Sequence, residues 1–111
     1  MTDDANPTGD ELLRALSALS NPHRLRIVAA LAEEREYVSR LARVLGMSRP
    51  LLHMHLQRLE AAGLVSGTLE LSEDGKAMKC YEVAHFALSL TPRRIAEAVE
   101  TLPGDETERA R

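Results

Sequence analysis

Residues 39–63 read SRLARVLGMSRPLLHMHLQRLEAAG, and this stretch decides the fold. Ser39 is a capping residue ahead of a short helix that turns Leu41, Val44 and Leu45 inward. Leu45-Gly46-Met47-Ser48 then interrupts the pattern, and Ser48 caps a second helix. At about 100° per residue, Leu52, Leu56 and Leu59 fall within about 60° of one another and form a buried stripe. Pro50, His53, Met54 and Gln57 cluster on the opposite side, with Arg49 and Arg58 at its flanks. Two short helices joined by a tight turn, the second with a polar face outward, are the pattern of a helix-turn-helix that reads DNA.

The outward face names its own candidates. Arg and Gln carry the donor and acceptor patterns that match guanine and adenine edges. Arg49, His53 and Gln57 are expected on bases or adjacent phosphates, with Pro50 and Met54 beside them. Ser48 and Arg58 are expected on the backbone, since a capped helix start presents free amides to a phosphate.

Downstream of Gly63, which suits a helix end, Leu64–Leu71 and Ala77–Phe86 read as two strands. The separator Ser72-Glu73-Asp74-Gly75-Lys76 holds an Asp-Gly hairpin signal. A hairpin directly after such a helix is a wing, and Lys76 and Lys79 are its cations. Glu73 and Asp74 at the tip oppose phosphate. Thr91-Pro92 opens a last helix over residues 92–102, with Ile95, Val99 and Leu102 on one side.

Upstream, residues 1–8 are polar and read as a disordered leader. Gly9–Leu19 carries Leu12, Leu13, Leu16 and Leu19, a stripe wider than one small core needs. Asn21-Pro22 starts a helix that buries Leu25, Ile27, Val28 and Leu31. Residues 35–38 are β-prone and read as a small first strand. Residues 103–111 read as a flexible tail, leaving 9–102 as the folded unit. A terminal helix too apolar for so small a core should pack on the first helix and on its twin in a second copy. The expected homodimer interface is therefore Leu12, Leu13, Leu16 and Leu19 with Ile95, Val99 and Leu102. Its two reading helices would face half-sites about 34 Å apart.

Composition agrees. The chain of 111 residues is 44% apolar and 28% charged, which fits one soluble domain. It shows neither a membrane span nor a signal peptide, and its single cysteine, Cys80, suits a reducing cytoplasm. Net charge is −3, but it is unevenly spread: residues 21–63 hold seven arginines against four glutamates, and both flanking regions are net acidic. Positive charge thus concentrates where phosphates would be met.

The order α-α-β-α-α-β-β-α, mostly helical with a small hairpin, resembles the ArsR/SmtB winged-helix regulators of bacteria over about residues 10–101. The resemblance rests on Leu16–Ile27 (LSALSNPHRLRI), on Leu41-Ala42 with Leu45-Gly46-Met47-Ser48-Arg49-Pro50, and on His55-Leu56, Leu59 and Ala61–Val65 (AAGLV). It implies a homodimeric transcriptional regulator on double-stranded DNA, often one whose affinity is set by a metal ion or another effector. Thiolate-sensing members carry a Cys-Val-Cys segment where this chain has Tyr37, Val38 and Ser39. Members that use the last helix need a histidine there, and residues 92–102 have none. Both familiar metal sites are absent as written.

His53 and His55 are about 200° apart on one helix and cannot share an ion. His23 and His85 are the remaining candidates for a ligand to a nickel or zinc effector, in company with groups from elsewhere or from the twin subunit. Cys80, within a strand, reads as an inert packing residue. No nucleophile with a base, Gly-rich phosphate loop or paired-cysteine motif suggests an enzyme. The rival reading is a winged-helix protein-interaction module, or one subunit of a two-protein regulator working with a co-regulator.

Overall fold

The computed structural model describes residues 6–104 as five helices and a three-stranded antiparallel sheet. In chain order these are α1 (Gly9–Leu19), α2 (Pro22–Glu33), β1 (Glu36–Tyr37), α3 (Val38–Leu45), α4 (Arg49–Ala61), β2 (Val65–Leu71), β3 (Ala77–Val83) and α5 (Pro92–Val99). This is the expected winged helix-turn-helix order. The expected leader and tail lie largely outside the described residues. Thr8, expected in the leader, closes a reciprocal cap instead: its hydroxyl accepts from the Glu11 amide and its own amide donates to the Glu11 carboxylate.

Local chemistry sets most boundaries. The Asn21 carboxamide oxygen accepts from the His23 and Arg24 amides, and Pro22 follows at the first helical position. Thr91 caps α5 in the same way, through the Arg94 amide. Gly46 (φ 63) ends α3 and Gly63 (φ 77) follows α4, both in the left-handed region that a side chain disfavours. The α3 start differs from expectation. Tyr37 runs straight from β1 into the helix and offers no side-chain cap, so Ser39 lies inside the first turn rather than before it.

The core is built where the helices meet the sheet. Ile27 and Leu31 of α2, Leu41 and Ala42 of α3, and Leu52, Leu56 and Leu59 of α4 close over Leu64, Val65 and Tyr81. Burying each large aliphatic side chain contributes roughly 1.5–3 kcal/mol. Two expected core residues are exposed. Leu25 stands about 200° from Ile27 on α2, and Val44 stands about 110° from the centre of the Val38, Leu41, Ala42 and Leu45 stripe on α3. Neither can share its helix's inward face.

The sheet order is β1-β3-β2. Glu36 pairs with Tyr81 at one edge, and β2 pairs with β3 from Val65↔Val83 to Leu71↔Ala77. The Ser72 and Lys76 backbones also bond, so the hairpin connection is Glu73 to Gly75. β3 stops at Val83, short of Phe86. Tyr81 is fully buried and its hydroxyl donates to Glu60 at 3.3 Å, tying the wing to α4. Gly67, its partner across the ladder, is required by that ring: a Cβ there would lie 2.7 Å from Tyr81 Cε1. Buried Cys80 beside it has its thiol pKa pushed up by burial, consistent with inert packing.

α5 ends at Val99 rather than Leu102, its chain continuing as a turn. That turn returns to α1. The Gly9 amide donates to Thr101 Oγ1 at 2.6 Å, Gly9 lies directly against Leu102, and Asn6 donates to Glu97 at 3.1 Å. The expected packing of the last helix on the first is therefore present within one chain.

Candidate nucleic-acid interface

α4 divides as its periodicity requires. Leu52, Leu56 and Leu59 are wholly buried, whereas Arg49, Pro50, His53, Met54, Gln57 and Arg58 are exposed. Pro50 sits in the first turn, where a missing amide hydrogen costs nothing. The Ser48 hydroxyl accepts from the Leu51 amide at 3.3 Å and holds the N-terminal turn in place.

The wing-side edge of this face opens into a cleft of about 580 Å³. Arg49 and His53 line it from α4, Lys76 and Lys79 from the wing, and Tyr37, Val38 and Ser39 from the start of α3. Four residues proposed separately from helix and hairpin are thus brought to one depression. The Lys79 ammonium lies 5.8 Å from the Tyr81 ring centroid, near the outer limit of a cation–π contact. At the wing tip the Ser72 hydroxyl donates to Asp74 and holds its carboxyl below the usual carboxylate range. Asp74 therefore keeps its negative charge at the tip.

Gln57 and Arg58 do not line the cleft. Arg58 is nine residues from Arg49, about 180° around the helix, and faces α1 across a separate recess shared with Arg14 and Arg24. These two arginines are missing from the sequence-derived set, because they come from α1 and α2 and only the fold brings them to α4.

Not all the arginines that made this region basic are available. Arg35 is paired with Glu70, and Arg40 with Glu36 at 2.9 Å. Arg35 first, and the Tyr37 hydroxyl second, hold the Glu70 carboxyl below its ordinary range. The first pair ties the segment before β1 to β2 near the hairpin turn, and the second ties α3 back to β1. Arg14, Arg24, Arg49 and Arg58 have no carboxylate partner among the described residues.

The histidines separate clearly. His53 is exposed at the cleft, and His85 is exposed beyond the end of β3. His55 is buried, its Nδ1 accepts from Arg24 Nε at 3.1 Å, and its Nε2 has no partner among the described residues. Burial first, then the positive Arg24 and nearby His23, lower its pKa from 6.5. The His23 and His55 rings lie 5.5 Å apart. Among the described residues no three His, Cys, Asp or Glu side chains converge as metal ligands, so His23 and His85 complete no such site within one chain.

The family model for bacterial regulatory proteins of the arsR family matches residues 21–66, from the cap of α2 to the start of β2. An uncharacterised HTH-type transcriptional regulator of Methanocaldococcus jannaschii is 36% identical over 76 residues, covering 68% of this chain and 79% of that protein. The chain belongs to the ArsR family. This ArsR-family chain is also 35% identical over 89 residues to the HTH-type transcriptional repressor SmtB of Mycobacterium tuberculosis, covering 80% of itself and 64% of that protein's length. Among solved structures it matches a homodimeric winged helix-turn-helix DNA-binding domain from Mycobacterium bovis, with a TM-score of 0.61 and 27% identity, covering 79% of this chain and 70% of that one. The family segment contains Arg24, Arg49 and Arg58 but ends before both wing lysines.

Proposed function

We propose that this ArsR-family protein is a sequence-specific, homodimeric DNA-binding transcriptional regulator that sets α4 into the major groove. The observation that carries this reading is the cleft shared by Arg49, His53, Lys76 and Lys79, which continues the exposed face of α4 onto the wing. Arg49, His53 and Gln57 read bases or adjacent phosphates. Pro50 and Met54 complete the contact face, Ser48 and Arg58 meet the backbone, and Lys76 and Lys79 meet the neighbouring backbone through the wing. The M. tuberculosis and M. bovis relatives, a repressor and a homodimeric DNA-binding domain, support both halves of the reading.

The dimer face lies on α1 and α5. Leu13 is 57% exposed, Ile95 45% and Val99 50%, with Leu16 half-buried beside them. Leu12 is covered by its own chain, Leu19 packs against the core and Leu102 closes on Gly9, so these three support the interface from beneath. No described helix is long and apolar enough to cross a membrane, and a DNA ligand supports a cytoplasmic site of action.

Fluorescence anisotropy of a labelled duplex from the region upstream of the protein's own coding sequence tests this. Tight, salt-sensitive binding that random competitor DNA cannot displace is expected. Binding no tighter than to random DNA, with capture of a partner protein that survives charge reversal at Arg49 and Arg58, would favour the interaction-module reading. Repeating the titration with Ni²⁺ or Zn²⁺ asks whether a metal sets the affinity.

A further inference from the structure

α1, α2 and α4 enclose a recess of about 150 Å³ lined by Arg14, Ser17, Ala18, Arg24, Arg58 and Ala61. Three guanidinium groups border it, and none has a carboxylate partner among the described residues. The other residues at its wall are small. Arg24 is held in place from behind: Nε donates to Nδ1 of buried His55 at 3.1 Å and Nη1 to the Ser17 carbonyl at 3.4 Å. Three of its five N–H donors are left over. A guanidinium fixed by a buried imidazole and pointed into a small recess beside two others is arranged for an oxyanion. With donors in excess and no carboxylate or carboxamide at the wall, it recognises charge rather than a base edge.

We infer that Arg14, Arg24 and Arg58 form a second phosphate site, which grips the DNA backbone on the side of α4 away from the wing. The inference rests on the reading that α4 enters the major groove and extends it to residues of α1 and α2. Arg49 and Arg58 stand on opposite edges of the α4 face, about 180° apart around its axis at about 100° per residue. The major groove is about 12 Å wide between its two backbones. A helix seated there thus carries one cationic site toward each strand: Arg49 with the wing lysines on one, and the three-arginine recess on the other. His55 is a positioning residue in this arrangement, since only its neutral form accepts from Arg24.

The test is duplex anisotropy over a range of salt concentrations, using the upstream duplex and a random one. Wild type, Arg14→Gln, Arg58→Gln and Arg49→Gln are compared, with Arg26→Gln as a control for the loss of one exposed charge outside both sites. Expected for Arg14→Gln and Arg58→Gln is roughly tenfold weaker binding to both duplexes, with the slope of log K against log salt reduced by about 0.9 for a lost phosphate contact. Arg26→Gln should match wild type. Wild-type affinity and slope in Arg14→Gln and Arg58→Gln, with binding lost in Arg49→Gln, would overturn the second site and leave the reading of α4 intact. Unchanged binding in Arg49→Gln as well would overturn the reading of α4 and this inference with it. Inorganic phosphate, titrated while the arginine side-chain N–H resonances are followed, separates the sources. A perturbation abolished by Arg58→Gln that coexists with wild-type DNA binding would assign the recess to a free oxyanion and overturn the backbone contact.

Discussion

The helix-turn-helix and the α1/α5 pair use their apolar residues in opposite ways. In α3 and α4, Leu41, Leu52, Leu56 and Leu59 are each at or below 1% exposure, and the other face of α4 carries Arg49, His53, Gln57 and Arg58 beside exposed Pro50 and Met54. In α1 and α5, only Gly9, Leu12, Ala15, Ala18 and Ala98 are buried, while Leu13, Ile95 and Val99 stand half in water. A helix whose stripe is fully buried is finished by its own chain. One whose stripe is half covered is finished by something else, and a second copy of the same pair offers the same surface in return.

The sharpest way to break this contrast is to cut one residue from each region. Leu56→Ala removes a wholly buried side chain and should lower stability by about 2–5 kcal/mol, visible as a fall in the thermal midpoint by roughly ten degrees or more at any protein concentration. Val99→Asp should leave the fold of one chain intact but shift sedimentation from dimer to monomer, and the thermal midpoint should lose its dependence on concentration. If Val99→Asp unfolds the chain, or Leu56→Ala costs nothing, the two regions do not differ as described.

Gly67→Ala sharpens the comparison at the wing. A methyl group there meets the Tyr81 ring, so a loss of about 1–3 kcal/mol is expected from overpacking, measured by chemical denaturation. DNA binding should weaken more than stability alone predicts, because Tyr81 ties the wing to Glu60 of α4.

The smallest expected effect is a pH dependence from His55. Its folded-state pKa is depressed, so between that value and about 6.5 the unfolded chain binds more protons than the folded one. Its contribution to stability is present above about pH 6.5 and is lost as pH falls toward the folded-state pKa. Denaturation midpoints from pH 7.5 to 5 should fall for wild type, with a smaller slope for His55→Gln, which keeps an acceptor for Arg24. Equal slopes would remove His55 as the source.

Much of this architecture was legible locally. The Asn21, Ser48 and Thr91 caps, the glycines after α3 and α4 and the 3.6-residue stripe of α4 are all short-range signals, and each falls where the sequence places it. The misreadings arise where a neighbour overrides local preference. Ser39 is a good cap by type, but β1 pairing delivers Tyr37 directly into α3. Leu25 and Val44 are apolar but stand off the inward face of their helices. The interface was half legible: Arg49, His53 and Arg58 follow from one helical period, whereas their separation into two basic sites, with Arg14 and Arg24 joining Arg58, depends on how α1 and α2 cross α4. Arg35 and Arg40 belong to the basic stretch over residues 21–63, but the fold gives both to glutamates.

Hydroxyl-radical footprinting of the bound upstream duplex tests the central claim most directly, because it registers the reading helix and the dimer together. The account predicts two protected patches on one face of the DNA, about one helical turn apart, both lost with Arg49→Gln. A single patch, or protection that survives Arg49→Gln, would contradict it.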